Sequence, residues 1–413
     1  MVTSKHRRIR VVLITLIAAI PAISGCPGEF PIRAGKVLVI TNDEEPLART
    51  DPNYTTTLQV LWLGTACHHI QLGDAAVLTD PFFSYHDTAD VAFGEIDSDV
   101  EMVRKKIEAL PVARAIFIGH SHYDHMLDLP AAMRFPGWED VPVYGSMTTR
   151  NILNGYGPDV VNRCEQVRTD EQWRPAGGAS NDSLEYMAVL SEHAPQLGNT
   201  LLYPGKVEEP LTAVPDRADE FKVGETYAYF FKLSGNRESR VGSRREDIVF
   251  TVYFVGSASN GSEGLPESDL SVDVAILCVP GWRNVEGYPR EVIQRLRPRH
   301  IILSHFDNFL EDHEGSRAVV ASADLRDFLI EVQDAADYPE FKSIRLPAVD
   351  TIQHFKKPKV TRLSPQPDQA PTTQFSRDPK GSAFQQRRQK RLSHGNAEHV
   401  MELDSGSRAD AGR

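Results

Sequence analysis

The chain has 413 residues and a formal net charge of −12. An acidic body argues against nucleic acid as a partner, because phosphate binding rests on Lys and Arg. Four cysteines in a chain this long exclude a disulfide scaffold.

The first 25 residues read as a targeting segment. Lys5, Arg7, Arg8 and Arg10 form a positive start, and residues 11–20 form an apolar stretch too short for a comfortable membrane span. Ile23-Ser24-Gly25-Cys26 follows and resembles a bacterial lipobox. That resemblance implies cleavage before Cys26, lipidation of its thiol, and a protein anchored to a membrane of the bacterial cell envelope. Residues 26–56 read as a linker, 57–355 as the folded body and 356–413 as a tail. The tail holds twelve Lys/Arg and six Asp/Glu, so it carries +6 and the rest of the chain −18. With few apolar residues it is expected to be disordered. Its charge suits anionic lipid headgroups, although an inert solvated tail is the simpler reading.

Within the body, apolar runs place strands at 58–63, 69–72 and 76–79. A helix is expected over 98–110, with Val100, Val103, Ile107 and Leu110 on one face. A strand at 115–118 follows, then a helix capped by Ser146 that runs to Tyr156 and stops at Gly157-Pro158. Strands follow at 184–191, 226–233, 248–255, 274–279 and 300–303. Helices are expected after Pro289 and over 323–334. Cys278, inside an apolar run, reads as core. The polar stretches 157–182 and 204–224 read as insertions that shape a substrate mouth, with Phe82, Phe83, Tyr123 and Trp282 as candidate lining.

The segment after the strand at 115–118 carries the chemistry. His120-Ser-His122-Tyr-Asp124-His125 sets four potential metal ligands on a loop at a strand's end. Two histidines two residues apart point the same way in extended chain, and Asp124 and His125 turn toward a second ion. Imidazole and carboxylate are zinc ligands, and a hydrolytic site leaves a position open for water.

This motif resembles the signature of the metallo-β-lactamase superfamily, which implies a four-layer αββα sandwich of the α/β class. The resemblance makes His193, after the strand at 184–191, the third ligand beside His120 and His122. It makes His305, after the strand at 300–303, the partner of Asp124 and His125. Asp80, in Leu78-Thr-Asp-Pro81, is expected to accept a hydrogen bond from a ligand histidine and so orient it. One position departs from the family pattern: Ser257 stands after Gly256 where a bridging aspartate is usual. Either two zinc ions are bridged by water alone, or only the three-histidine site is well occupied. Two are favoured, because Asp124, His125 and His305 remain for the second.

The implied function is a zinc-dependent hydrolase that turns a metal-activated water on an ester, lactone or phosphodiester, with Asp124 orienting that water. Leu61-Trp-Leu-Gly64 and the lone strand-end His305 resemble the branch of ascorbate-lactonase-like proteins and N-acyl-phosphatidylethanolamine phospholipase D. The expected substrate is therefore a small or lipid-like molecule. The alternative is a membrane-anchored, non-catalytic binding or scaffold lipoprotein with one structural zinc.

The lipobox reading has a direct check. Mature protein should partition into the detergent phase, and Cys26→Ala should move it to the aqueous phase. Equal partitioning of the two proteins contradicts the lipid anchor.

Overall fold

The computed structural model describes residues 39–40, 43–178, 183–235, 248–310, 319–320 and 323–357. The expected signal segment, Cys26 and residues 358–413 of the expected disordered tail lie outside the described residues, whereas Lys356, placed in that tail, closes the last strand of the body.

The strands in chain order are β1 Val39–Ile40, β2 Thr57–Gly64, β3 Cys67–Leu72, β4 Ala75–Thr79, β5 Ala115–Phe117, β6 Val143–Gly145, β7 Cys164–Gln166, β8 Arg174–Pro175, β9 Leu184–Ser191, β10 Thr226–Gly235, β11 Ile248–Val255, β12 Val274–Cys278, β13 His300–Ser304, β14 Ser343–Arg345 and β15 Thr351–Lys356. They build one sheet in the order β1-β14-β13-β12-β11-β10-β9-β8 and a second in the order β15-β2-β3-β4-β5-β6-β7. The helices are α1 Thr88–Phe93, α2 Val100–Glu108, α3 Tyr123–Met126, α4 Leu129–Met133, α5 Met147–Asn154, α6 Pro158–Val161, α7 Arg290–Leu296 and α8 Leu325–Ala335.

Three apolar layers show why these elements stack. Leu58, Val60, Ile70, Phe117, Tyr229, Phe231, Phe254, Ile276 and Phe355 fill the space between the sheets. On the outer face of the first sheet, Val292 and Ile293 of α7 and Phe328 and Leu329 of α8 pack on Ala275, Leu277 and Ile301. On the outer face of the second, Val103, Ile107, Met126, Leu129 and Ile152 cover Leu78, Ile116 and Val143. The result is helix, sheet, sheet, helix: the expected αββα sandwich. The strands β12 and β13 run parallel and are apolar along most of their length, because both of their faces are covered.

Local capping fixes where the helices begin. The Asp99 carboxylate accepts from Glu101 N and Met102 N at the start of α2. Ser146 opens α5 through a reciprocal capping box with Thr149. The helix ends at Asn154, short of Tyr156, and Pro158 starts α6, as suits a residue that lacks an N–H.

Three expectations need correction. Val100 does not join the apolar stripe of α2; at the first turn it stands 63% exposed. Residues 157–178, most of one expected insertion, belong to the sandwich instead, since β7 pairs with β6 and β8 with β9, extending the edges of both sheets. Strands of three and two residues are too short for any alternation to show in sequence. Phe82, Phe83 and Tyr123 do not line a mouth; they are buried in the layer under the second sheet's helices. Their aromatic area is worth more in the core than on a rim. Trp282 packs edge-on against Phe328 at 5.5 Å between centroids.

The strand pairing of β15 is complete at Lys356, opposite Thr57. A chain ended after Lys357 should therefore melt within about 2 °C of the full chain, the shift that roughly 1 kcal/mol makes in a domain of this size. A larger drop in a thermal melt would show that later residues support the sandwich.

Candidate metal centre

All six expected ligands meet at one end of the sandwich, where β5, β9 and β13 finish. They form two groups, His120 with His122 and His193, and Asp124 with His125 and His305, each with ligand atoms within 4.8 Å of one another.

Backbone contacts hold the loop that carries four of them. Beyond β5, the Ile118 carbonyl accepts from the Tyr229 hydroxyl at 2.8 Å and the Gly119 carbonyl from Tyr227 N at 2.8 Å. Ser121 N donates to Val223 O at 3.0 Å, which ties the loop to the far end of the stretch 204–224. The Ser121 hydroxyl lies 2.8 Å from that of Thr149 and 3.2 Å from that of Ser146, inside the same buried cluster that caps α5. His122 is extended, with φ −65° and ψ 156°, and sits at the head of α3, whose single turn carries Asp124 and His125.

His305 is held from the other sheet. Its N–H donates to Thr65 O at 3.0 Å, and the same carbonyl accepts from Trp62 Nε1 at 2.8 Å and Ser304 Oγ at 3.0 Å. Thr65 N in turn donates to the Asp307 carboxylate at 3.0 Å. Both Thr65 and His305 have left-handed backbone, φ 43° and 63°, a strain that such multiple anchoring sustains.

The facing nitrogen and oxygen atoms crowd together. His120 Nε2 lies 3.1 Å from His122 Nδ1, and His305 Nε2 lies 3.2 Å from His125 Nε2. Asp124 Oδ2 is 3.3 Å from His305 Nε2 and 3.7 Å from His125 Nε2. His193 Nδ1 must donate to Ala194 O, at 2.7 Å, because a carbonyl only accepts. The His193 Nε2 lone pair is then the free one. His125 Nδ1 bonds Asp80 Oδ2 at 2.9 Å, which turns its Nε2 toward Asp124 and His305.

Burial pushes His120 and His193 well below the ordinary imidazole range and His122 down to about 4. These three rings are therefore neutral and present lone pairs to one another. Burial alone would raise the Asp124 carboxyl, but the adjacent His125 and His305 outweigh it and hold the group below the usual carboxylate range. Three neutral rings in one group and an ionised carboxylate in the other, mostly out of water, suit bound cations. Five imidazoles and one carboxylate are a zinc-type donor set rather than a magnesium or calcium one.

Asp80 is the outer support. Its carboxylate accepts Gly119 N at 2.6 Å as well as bonding His125, so one side chain aims both the metal loop and a ligand ring. It approaches so closely that a Cβ at Gly256 would stand 2.7 Å from Asp80 Oδ2. Ser257 is buried next to this point. Its hydroxyl accepts Ala194 N at 3.3 Å and donates to Ala258 O at 3.2 Å, so it is engaged with backbone beside His193.

Sequence reasoning missed Asp128. This buried carboxylate accepts Ser84 N at 2.8 Å, Ser84 Oγ at 2.6 Å and Ser98 Oγ at 2.5 Å, tying the start of α4 to the loop that follows Asp80. Its only sequence signal was a second acidic residue in Asp124-His-Met-Leu-Asp128. The Tyr203 ring, in an edge-on contact with His122 at 6.3 Å, was also missed.

No family model matches the chain. Among solved structures, it is similar to Igni18, a metallo hydrolase from Ignicoccus hospitalis, at 12% identity and a TM-score of 0.43, covering 73% of this chain and 100% of that one. It is similar to the isothiocyanate hydrolase from Delia radicum gut bacteria at 16% identity and 0.42, covering 72% and 100%. It is similar to the metallo-β-lactamase fold protein YhfI from Bacillus subtilis at 14% identity and 0.37, covering 73% and 100%. Scores below 0.5 mark loose likenesses, and the site stands on its own geometry.

Asp80→Ala removes the acceptor that orients His125 and Gly119 while leaving all six ligands. Metal affinity should fall about 10–100-fold, with the ion beside His125 lost first on dialysis. Unchanged metal content at limiting free zinc would contradict the role given to Asp80.

Proposed function

We propose that this chain is a metal-dependent hydrolase, that its metal is zinc, and that its substrates are esters, lactones or phosphodiesters. The observation that carries this is the meeting of two three-ligand groups at one buried place, one of three neutral imidazoles and the other holding an ionised carboxylate. His120, His122 and His193 would hold one ion, and Asp124, His125 and His305 a second. Divalent ions there supply Lewis acidity toward a scissile oxygen and acidify nearby water.

The chain's own residues supply the rest. Asp124 stays ionised, so the carboxylate accepts a hydrogen bond from an incoming water and orients it. His193 is the most open of the six, so substrate approaches from its side. Asp80 keeps His125 in one tautomer, with Nδ1 turned away from the centre. The loop around Leu202 and Tyr203 lies beside His122 and screens that ring from water.

Ser257 supports a weaker hold on the second ion. Its neutral hydroxyl is engaged with backbone and brings no charge between two cations. This same feature is what favours the alternative, a binding or scaffold lipoprotein with a single structural zinc. In either reading Cys26 carries the lipid that attaches the protein to a bacterial envelope membrane.

His122→Ala separates the two readings. In a hydrolase the variant keeps its secondary structure, loses the first ion and loses turnover of a lactone, a carboxylic ester and a bis-aryl phosphodiester by at least about 10³-fold. If the metal-loaded parent turns over none of the three, the hydrolase reading fails and the scaffold reading stands.

A further inference from the structure

The strand directions place both ends of the described body at one pole of the sandwich. β1 is parallel to β14, and β14 to β13, with Val39 level with Ile344 and Ile344 with Ile301. Val39 therefore stands near the pole where β13 begins. β13 spans roughly 16 Å before it delivers His305, so this pole lies opposite the metal centre. β15 runs antiparallel to β2, from Thr351 opposite Trp62 to Lys356 opposite Thr57. Because Thr65, just past β2, anchors His305, β15 starts at the metal end and finishes at the other. Val39 and Lys356 thus both stand toward the pole away from the metals.

That pole is basic in an otherwise acidic chain. Lys342 N donates to Arg299 O at 2.8 Å, so these two cations sit side by side at the starts of β13 and β14. Arg345 lies just above them, 8% exposed, with its Nε unpartnered and its guanidinium 5.2 Å from the Phe355 ring. His300, between them, is pushed down to about 4 by burial and then by Arg345, Arg299 and Lys342. The acids nearby are already taken: Asp273 by Lys357 at 2.8 Å, Glu340 by Arg297 at 2.9 Å, Glu44 by His354 at 2.8 Å and Asp74 by Arg49 at 3.1 Å. Arg299, Lys342 and Lys356 have no carboxylate partner among the described residues. Beside the metals the balance reverses: residues 196–225 hold six Asp/Glu against three Lys/Arg.

We propose that the pole formed by Arg299, Lys342 and Lys356 docks on an anionic lipid surface, leaving the metal mouth open to the aqueous phase. The docked orientation selects water-soluble substrates over lipids still embedded in the same bilayer. This refines the hydrolase reading above and rests on it for the substrate class; the docking itself does not need the lipid on Cys26.

The test uses the full chain with Cys26→Ser, so that charge alone can attach it. It is sedimented with phosphatidylcholine vesicles, and with vesicles in which about a third of the lipid is phosphatidylglycerol, at about 0.1 M salt. The protein should pellet with the anionic vesicles only and be released at about 1 M salt. Arg299→Glu with Lys342→Glu should weaken that binding at least about tenfold, whereas Lys206→Glu, on the metal side, should change it little. On the vesicles, amide exchange should slow around Arg297–Arg299 and Glu340–Lys342 and stay unchanged over 196–225. Binding to both vesicle types alike, to neither, or equally well by the double variant overturns the proposal, as does protection of 196–225 instead. Detergent partitioning of the parent reports the lipid anchor, and turnover of soluble esters reports the hydrolase, each independently of these results.

Discussion

The Asp80 carboxylate is the contact on which the site depends. It stands at the end of β4 in left-handed backbone, φ 38°, with its N–H donating to Phe117 O. From there one oxygen takes Gly119 N and the other His125 Nδ1. Gly256 comes from the opposite sheet and is bare of a side chain where Asp80 arrives. A single buried charge thus couples the end of β5, the turn α3 and the end of β11. An unpaired carboxylate in this position would cost several kcal/mol, so every group around it is constrained to face it. The positions of the ligands follow from that constraint.

The sandwich supplies what the ligands need beyond aim. Two sheets covered by helices exclude water from five of the six side chains, and that burial keeps His120 and His122 neutral. Neutral imidazole is the form that ligates, so desolvation, usually a cost, here prepares the site before any ion arrives. The strain carried at His305 and Thr65 is offset by the anchoring of both to Trp62, Ser304 and Asp307. Among the six side chains His193 is the one left partly open, beside the acidic stretch 196–225.

Much of this was legible in the sequence, for identifiable reasons. Apolar runs such as Val274–Cys278 and His300–Ser304 announce parallel strands buried on both faces, and the clustered ligands fall directly after such runs. Ser146 was readable as a cap because capping is a local interaction. What escaped notice is long-range. Nothing near Asp128 in sequence marks Ser84 and Ser98 as its partners, and nothing near Thr65 marks Asp307. The edge strands β7 and β8 exist only because β6 and β9 offer free edges, so their own residues carry no periodic signal. The aromatic residues after Asp80 were assigned to a mouth, but a short loop pinned by Asp128 turns them inward.

The central claim is that two adjacent groups of three side chains each hold an ion. Crystals of the purified protein, with anomalous data collected on both sides of the zinc absorption edge, test it most directly. The expected map shows one strong peak among His120, His122 and His193 and a second, weaker one among Asp124, His125 and His305. A map with no peak between these side chains after zinc is supplied, or with zinc held only elsewhere on the chain, would contradict the account.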